Sequence, residues 1–309
     1  MIKVYKTLEN KLNEVNKITN DCWVNAINPT ENEIESIQSL GIPIEFIRNP
    51  LDIDERSQTD KEKGATLIII RIPYYQGENV DIPYITIPLG IILTGSGIIT
   101  ISRHKNELIE NILNRSMNSV STIKRNRFVL IILFAAATLF LNSLRKIKNN
   151  IDVLEDELQS SVRNKEVLEL LKFQKSLQYL STALTSNELI FEKLQRYEFF
   201  KQYPDDSDLL DDVITENQQA IEMTSIARNL LIQMMDAFAS IIQNNQNIVF
   251  KIMTAVTIIM SLPTIISGFF GMNVAIPYEN NPNAFLYILI FSILIMVIIA
   301  YIFKKQNWL

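Results

Sequence analysis

Two long apolar runs near the C-terminal end decide the fold of this protein: IVFKIMTAVTIIMSLPTIISGFFGMNVAIPYENNPNAFLYILIFSILIMVIIAYIF, residues 248–303. The first run extends to Phe270 and is interrupted by Lys251 and Pro263. The second run, residues 285–303, contains no charged residue. Each run has about twenty residues, enough for a helix to cross the roughly 30 Å of hydrocarbon in a bilayer. We therefore predict two transmembrane helices joined by a short loop.

The charges around these runs indicate their orientation. Lys251 stands at the entry of the first run, and Lys304 and Lys305 follow the second. The connecting loop has one charged residue, Glu279, and no cation. Because Lys and Arg favour the cytoplasmic side of a membrane, we predict an external loop and two cytoplasmic termini, in the plasma or inner membrane of the cell.

A third apolar run, Phe128–Leu141, leads to a different prediction. It has only about fourteen residues, a length more typical of a buried core helix than of a membrane span. The sequence KRNR precedes it and RKIK follows shortly after it, so a crossing would place cations on both sides of the membrane. We predict a helix buried within the soluble part.

The composition excludes several classes of protein. The 309-residue chain has a formal net charge of −5 at pH 7, whereas nucleic-acid binding favours a basic face. A single cysteine, Cys22, and a single histidine, His104, exclude a disulfide framework and a Cys/His zinc cluster within one chain. The sequence shows neither a glycine-rich phosphate loop nor a Ser/His/Asp set, so we predict that the protein is not an enzyme.

The first two-thirds of the chain are typical of a soluble α/β domain followed by helices. Residues 65–75 and 84–102 are rich in β-branched residues and are punctuated by Pro and Gly, as strands joined by tight turns are. Thr30 precedes an amphipathic run that is typical of a capped helix. From Ile151 to Tyr203 there is neither Gly nor Pro, and apolar residues recur at three- and four-residue spacing. This spacing predicts long packed helices.

Another helix is predicted to begin at Pro204. Nothing breaks the pattern before Pro263, so a helix that continues to Phe270 would be roughly 95 Å long and would form a stalk below the membrane. Five aspartates lie near its start: Asp205, Asp206, Asp208, Asp211 and Asp212. Acidic residues stabilise the first turn of a helix through its dipole. A second interpretation is a sensor for cytosolic Mg²⁺, in which Asp212 is the residue most worth testing.

These patterns divide the chain into six segments. We predict a cytoplasmic α/β domain (1–125), a helical region with the stalk (126–246), a first transmembrane helix that lines a pore (247–271), an external loop (272–284), a second transmembrane helix (285–304) and a cytoplasmic tail (305–309).

One face of the predicted stalk and first transmembrane helix is almost entirely polar or small. With alternating steps of four and three residues, the series is Asn229, Gln233, Asp236, Ser240, Gln243, Asn247, Phe250, Thr254, Thr257, Ser261, Thr264, Gly268 and Gly271. This spacing places its members along one face of a gently supercoiled helix. We call this series the polar stripe. It predicts either a hydrated pore formed by several copies or a tight packing interface between transmembrane helices.

Phe250 is the one bulky member of the polar stripe, and Met253 lies close to it in sequence. Bulky apolar side chains at a narrow point of a pore can close it by excluding water. Packing between helices is an equally good interpretation.

The tripeptide GMN (Gly271, Met272, Asn273) at the outer end of the first span resembles the signature of the CorA family of magnesium transporters. Its placement strengthens the resemblance, because a short loop, a final apolar helix and the basic tail YIFKKQNWL follow it. The resemblance implies a homopentameric funnel in the lipid bilayer. In it, a cytoplasmic α/β domain leads into a long pore-forming stalk helix, and a second transmembrane helix follows.

The resemblance also implies roles for particular residues. Gly271, Met272 and Asn273 match the selectivity motif of the family. By the same resemblance, Asn247 and Thr264 are the pore asparagine and the pore threonine. Phe250 and Met253 form the hydrophobic constriction. Asp236 belongs to a regulatory divalent-ion site between subunits. The partner carboxylate of that regulatory site is expected after the strand that ends near Tyr75, where Glu78 is the nearest acid. The loop sequence AIPYEN differs from the usual family motif and displaces its glutamate to Glu279.

The chemistry of Mg²⁺ suits such a filter. Mg²⁺ is small and dehydrates reluctantly, so a filter can recognise the hydrated ion. Side-chain carbonyls of Asn273 and backbone carbonyls of Gly271 would accept hydrogen bonds from its water shell. Glu279, repeated around a ring, would concentrate cations at the mouth, although an ordinary solvated loop acid is an equally simple interpretation.

We therefore predict a pentameric magnesium channel that is gated by cytoplasmic Mg²⁺ bound between subunits. A transporter of Zn²⁺, Co²⁺ or Ni²⁺ from the same superfamily is the first alternative, because a hydrated-ion filter discriminates mainly by size and charge. A membrane-anchored cytosolic sensor without a pore is the alternative from another class, and such an anchor has no need of a polar stripe.

Overall fold

The structure is a computed structural model that describes residues 1–9, 11–115, 120–160, 164–197, 200, 204–272 and 281–308. Its N-terminal part contains seven strands. They are β1 (Ile2–Leu8), β2 (Lys11–Val15), β3 (Cys22–Ile27), β4 (Gln58–Glu62), β5 (Ala65–Tyr75), β6 (Tyr84–Leu93) and β7 (Gly97–Ser102). The strands predicted at residues 65–75 and within 84–102 are thus confirmed as β5, β6 and β7.

The seven strands form one mixed sheet with the order β2-β1-β3-β7-β6-β5-β4. Neighbouring strands are antiparallel except β3 and β7, which pair in parallel with Val24 opposite Ile99. Three consecutive strands, β5, β6 and β7, form an antiparallel meander. Through this parallel pair, β3 and the N-terminal hairpin β1–β2 extend the sheet from the β7 edge of the meander.

Helices cover both faces of the sheet, which explains why β5 and β6 are nearly continuous apolar runs. Along β5, Ile68 and Ile70 belong to the core under the long helices. Leu67 and Ile69 point the other way, into the core under the two short helices. This alternation is the period of two that a strand imposes on its side chains. The unit is therefore an α/β/α sandwich, as the sequence predicted in outline.

The described helices are α1 (Glu31–Gln38), α2 (Ile44–Arg48), α3 (Glu107–Arg115), α4 (Arg125–Ser160), α5 (Asn164–Gln195), α6 (Pro204–Phe270) and α7 (Ala284–Lys305). Thr30 caps α1 as predicted: its Oγ1 accepts the backbone N–H of Glu33 at 3.4 Å, and the Glu33 carboxylate accepts the backbone N–H of Thr30 at 2.9 Å. This reciprocal pair is a capping box.

Three described helices are long and apolar enough to cross a membrane by length and composition, and their burial separates them. Within α4, 67% of the most apolar window is buried inside the protein, against 6% for α6 and for α7. Phe128 and Phe140 are fully covered in the first unit. The prediction that the run Phe128–Leu141 is a buried core helix is confirmed. The apolar windows of α6 and α7 remain uncovered within the chain.

The contacts divide the chain into two compact units, Met1–Met235 and Asp236–Leu309. The first holds the sheet, helices α1–α5 and the beginning of α6. The second holds the remainder of α6, together with α7. Helix α6 begins at Pro204 and continues through Pro263 to Phe270, as predicted. Proline removes one backbone donor from that turn, yet the helix does not end there.

Candidate ion-permeation site

The polar stripe lies on α6 and is not covered by the chain that carries it. Among its members, Ser261 is half-buried, and Phe250 is exposed but bulky. The others are exposed: Asn229, Gln233, Asp236, Ser240, Gln243, Asn247, Thr254, Thr257, Thr264, Gly268 and Gly271. Apart from Phe250, the stripe is therefore a surface of polar and small side chains on a helix whose other residues from Ile248 onward are apolar, except Lys251 and Ser267.

The hydroxyl groups on this surface present acceptors outward. Thr257 Oγ1 donates its hydrogen to the carbonyl oxygen of Met253 at 2.8 Å, and Ser261 Oγ donates to that of Ile258 at 2.9 Å. Ser240 Oγ makes the same kind of bond with the backbone carbonyl of Asp236 at 3.0 Å. A hydroxyl has one donor and two acceptor lone pairs. With its donor used inside the helix, each hydroxyl retains acceptor capacity that suits the water shell of a cation.

The two bulky residues of the predicted constriction are also uncovered. Phe250 is 64% exposed and Met253 is 61% exposed. Many other apolar residues of α6 and α7 are equally exposed, such as Met260 at 68% and Phe285 at 76%. The exposure of Phe250 and Met253 is therefore compatible with a narrow pore, a neighbouring helix or lipid.

The predicted filter lies at the end of α6. The backbone N–H of Gly271 donates to the carbonyl oxygen of Ser267, four residues earlier, at 2.9 Å. Among the described residues, this is the last α-helical hydrogen bond at this end of α6. A Cβ at Gly271 would lie 3.3 Å from that same carbonyl oxygen, closer than most Cβ contacts. Met272 is exposed. Asn273 and Glu279 lie outside the described residues.

Gly268 differs from Gly271 in its surroundings. A Cβ added at Gly268 meets no described atom within 4 Å. Nothing in the described part of the chain therefore requires a glycine there. If a glycine is needed at this position, the reason is another copy or the ion path.

The predicted regulatory acid Glu78 lies in the loop between β5 and β6. The backbone N–H of Gln76 donates to the carbonyl of Pro83 at 2.8 Å, and Gly77 adopts a φ of 108°, so the loop turns back on itself. Asp81 in the same loop forms an ion pair with Lys175 of α5 at 2.7 Å. Glu78 is exposed at the tip of a loop that is fixed at both sides.

A further acid, Glu107, acts electrostatically on the same tyrosine as Glu78, and sequence reasoning did not identify it. Burial raises the pKa of Tyr84 to about 12, and the nearby Tyr75, Glu107 and Glu78 add to the shift. Glu107 stands in the first turn of α3, 29 positions after Glu78. Only the pairing of β6 with its neighbours brings the two acids to one tyrosine.

The aspartates at the start of α6 divide into structural and free groups. Asp206 is 5% exposed and forms an ion pair with Arg127 of α4 at 3.1 Å. Asp211 accepts a hydrogen bond from Gln195 of α5 at 3.1 Å. Asp212 is exposed, as is Asp236 further along the helix. Asp206 thus ties α6 to α4, whereas Asp212 and Asp236 remain available to solvent or to another copy.

Within one chain, the described residues contain no group of three or more His, Cys, Asp or Glu side chains arranged to hold a metal ion. A regulatory site built on Asp236, Asp212 or Glu78 would therefore need ligands from a second copy or from residues outside the described part. The location between subunits that the family resemblance implies stays a prediction.

An α/β domain whose last helix continues into the first of two uncovered apolar helices has the architecture of a two-span membrane transporter. The chain belongs to the CorA-like Mg²⁺ transporter family, since the family described as "CorA-like Mg2+ transporter protein" matches residues 20–305. Members of this family are membrane transporters of Mg²⁺ and not enzymes.

Individual proteins agree with this membership. The chain is 25% identical, over 293 residues, to the cobalt/magnesium transport protein CorA of Methanocaldococcus jannaschii, covering 93% of this chain and 91% of the relative. The complete structure of that organism's CorA magnesium transporter superposes with a TM-score of 0.87 at 22% identity, over 100% of this chain and 99% of the other. The cytoplasmic domain of ZntB from Vibrio parahaemolyticus gives 0.60 at 11% identity, over 79% of this chain and 97% of the other. The fold is therefore shared with the cytoplasmic domain of a ZntB protein.

Proposed function

We propose that this protein is a homopentameric channel of the cell membrane that conducts hydrated Mg²⁺ along a pore lined by α6. The observation that carries the proposal is the polar stripe, which is exposed from Asn229 to Gly271 along α6, apart from the half-buried Ser261. In lipid, a lone polar face turns inward, toward other helices or water. Below the membrane, packing in lipid is irrelevant, yet the stripe continues there with Asp236, Gln243 and Asn247.

An oligomer follows from geometry. Two spans cannot enclose a pore, so several copies of α6 must surround it. The pentamer, the loop outside the membrane and the cytoplasmic termini follow the family plan and the distribution of Lys251, Lys304 and Lys305. The neutral acceptors along the stripe bind a hydrated ion weakly enough for it to leave, as conduction requires.

Asn273, together with Gly271 and Met272, forms the proposed filter. Because the filter contacts water molecules around the ion, it discriminates by the size and charge of the hydrated ion. Co²⁺ is a second cargo under this mechanism, as the name of the relative from M. jannaschii suggests. Mg²⁺ is the first choice because the family to which the chain belongs is described by Mg²⁺ transport, and because Mg²⁺ dehydrates reluctantly.

The filter assignment is tested by ion flux into liposomes that contain the purified full-length chain. Asn273→Ala should reduce Mg²⁺ uptake strongly, whereas Asn32→Ala on the exposed face of α1 should not. Undiminished uptake in Asn273→Ala would refute the filter. Absence of uptake in both variants and in wild type would favour a membrane-anchored sensor without a pore.

Regulation is proposed to come from cytosolic Mg²⁺ bound between neighbouring copies, with Asp236 on one copy and Glu78 on the next. Asp212 is a further candidate ligand. Bound Mg²⁺ holds a symmetric closed state, and its loss frees the stalks, because a ligand shifts an equilibrium only by binding one state better.

This regulation is tested by measuring flux against internal Mg²⁺. The double variant Asp236→Ala and Glu78→Ala should require more internal Mg²⁺ for inhibition than wild type. Asp54→Ala with Asp60→Ala removes the same charge at exposed positions of the sheet domain and serves as the control. An inhibition curve identical to that of wild type would refute the regulatory site.

A further inference from the structure

The C-terminal end of α7 folds back on itself in a defined cap. Asn307 adopts a φ of 55°, the left-handed conformation that asparagine tolerates. The backbone N–H of Trp308 then donates to the carbonyl oxygen of Phe303 at 2.9 Å, and the backbone N–H of Asn307 donates to the carbonyl oxygen of Lys304 at 3.2 Å. These two bonds define a Schellman motif.

The cap fixes the position of an aromatic side chain. The rings of Phe303 and Trp308 stack with centroids 5.5 Å apart and planes only 9° from parallel. The indole therefore lies beside the last turn of the helix and not beyond its end. Phe303 is the last residue of the apolar run, so Trp308 stands where that run meets the first charged residues. Tryptophan is enriched at this boundary between hydrocarbon and headgroups.

The cap also frees two cations. The carbonyl oxygens of Ile302, Phe303 and Lys304 accept backbone N–H groups from the cap. The ammonium groups of Lys304 and Lys305 are therefore not needed to satisfy them. Both lysines are exposed, and neither forms an ion pair with any described residue.

We infer that the capped end of α7 is a binding site for the headgroup of an anionic phospholipid in the cytoplasmic leaflet. Lys304 and Lys305 contact the lipid phosphate, and Trp308 lies among the glycerol and upper acyl carbons. The inference rests on the proposed cytoplasmic location of the C-terminal end. A lipid is the occupant, and not a free phosphate, because the cationic pair adjoins an uncovered apolar helix and a tryptophan that a soluble anion would not use.

Fluorescence quenching by brominated lipids tests the site in the intact protein. The chain has two tryptophans, and Trp23 is fully buried in the sheet domain. The difference between wild type and Trp308→Phe therefore isolates the signal of Trp308. Vesicles contain either brominated phosphatidylglycerol or brominated phosphatidylcholine at the same mole fraction. We expect phosphatidylglycerol to associate about fivefold or more tightly, the preference that one lysine near an anionic surface provides.

Two double variants show whether the lysines cause this preference. Lys304→Gln with Lys305→Gln should reduce the ratio of the two association constants to about one while quenching by either lipid persists. Lys146→Gln with Lys148→Gln removes the same charge from exposed positions of α4 and should leave the ratio unchanged. Inorganic phosphate at millimolar concentration should not compete with the brominated lipid.

Several results would overturn the inference. Equal quenching by the two lipids in wild type would mean that the headgroup is not recognised. Loss of the preference on addition of inorganic phosphate would identify a free-phosphate site. Absence of quenching by either lipid would place Trp308 away from the membrane. Mg²⁺ flux measured in the same vesicles separates the two proposals, since normal flux without a lipid preference refutes only the lipid site.

Discussion

Substitution of Gly268 by alanine tests whether the polar stripe faces another copy of the chain. The structure gives a clear expectation for the chain by itself. A Cβ at Gly268 meets no described atom within 4 Å, and the residue lies inside α6. Alanine stabilises a helix interior by about 1 kcal/mol relative to glycine. A chain whose stripe faced nothing should therefore gain stability and lose no activity.

The expectation changes if several copies of α6 surround a pore. Each copy then adds one methyl group to the same level of the ion path, where it replaces water around the cation. An added barrier of only about 1.4 kcal/mol would lower the conduction rate about tenfold. We expect Gly268→Ala to form the same oligomer as wild type, with a melting temperature that is equal or about 2 °C higher, and to conduct Mg²⁺ at least about tenfold more slowly.

Three measurements on the purified protein decide between the interpretations: Mg²⁺ flux in liposomes, oligomeric state and melting temperature. Gly95→Ala is the matched control, because its Cβ also meets no described atom and its φ is outside the left-handed region. A variant of Gly268 that loses its oligomeric state would favour a tight packing interface over a pore. Unchanged flux with an unchanged oligomer would refute both, and the stripe would not face another copy at this level.

Three further substitutions test other parts of the structure. Phe250→Ala should raise Mg²⁺ flux at inhibitory internal Mg²⁺, because it removes the bulky group that excludes water; flux equal to that of wild type would assign Phe250 to helix packing. Arg127→Met should lower the free energy of unfolding by about 2 kcal/mol in chemical denaturation, because it leaves the buried Asp206 carboxylate without its cation. The control Arg145→Met, at an exposed position, should change the free energy of unfolding little, and equal effects of the two substitutions would contradict a role for the ion pair. Because the pKa of Tyr84 is raised in the folded protein, its phenol ionises at a lower pH in the unfolded chain, and the free energy of unfolding should fall between about pH 10 and pH 12. A Tyr84→Phe variant that retains the full decline would disprove this assignment.

Much of the fold could be predicted because its signals are local. The capping box at Thr30, the start of α6 at Pro204 and the span-length runs are all encoded in neighbouring residues. The short length of the run Phe128–Leu141 was enough to predict that it is buried. Strand order could not be predicted in this way. The parallel pairing of β3 with β7 joins residues more than 70 positions apart, such as Val24 and Ile99, and no local pattern specifies it.

In the candidate site, too, the features that depend on neighbouring residues could be predicted, and those that depend on distant residues could not. The polar stripe was read from the sequence, since a repeat of four and three residues fixes one face of any helix. The sequence did not reveal that Glu107 shares Tyr84 with Glu78. Nor did it show that the tail turns back to stack Trp308 on Phe303, although an asparagine just after a helix is a recognised signal for such a cap.

The sequence by itself determined the extent of α6, the two apolar runs of membrane-spanning length and the order GMN at the end of the first. Each of these depends on residues that are adjacent or one turn apart. Only the tertiary structure decided which of several similar residues have partners. Asp206 and Asp212 both lie near the start of α6, yet the first is buried against Arg127 and the second is exposed. The physical reason is that burial and charge pairing depend on the surface that packs opposite a residue, which a different part of the chain provides.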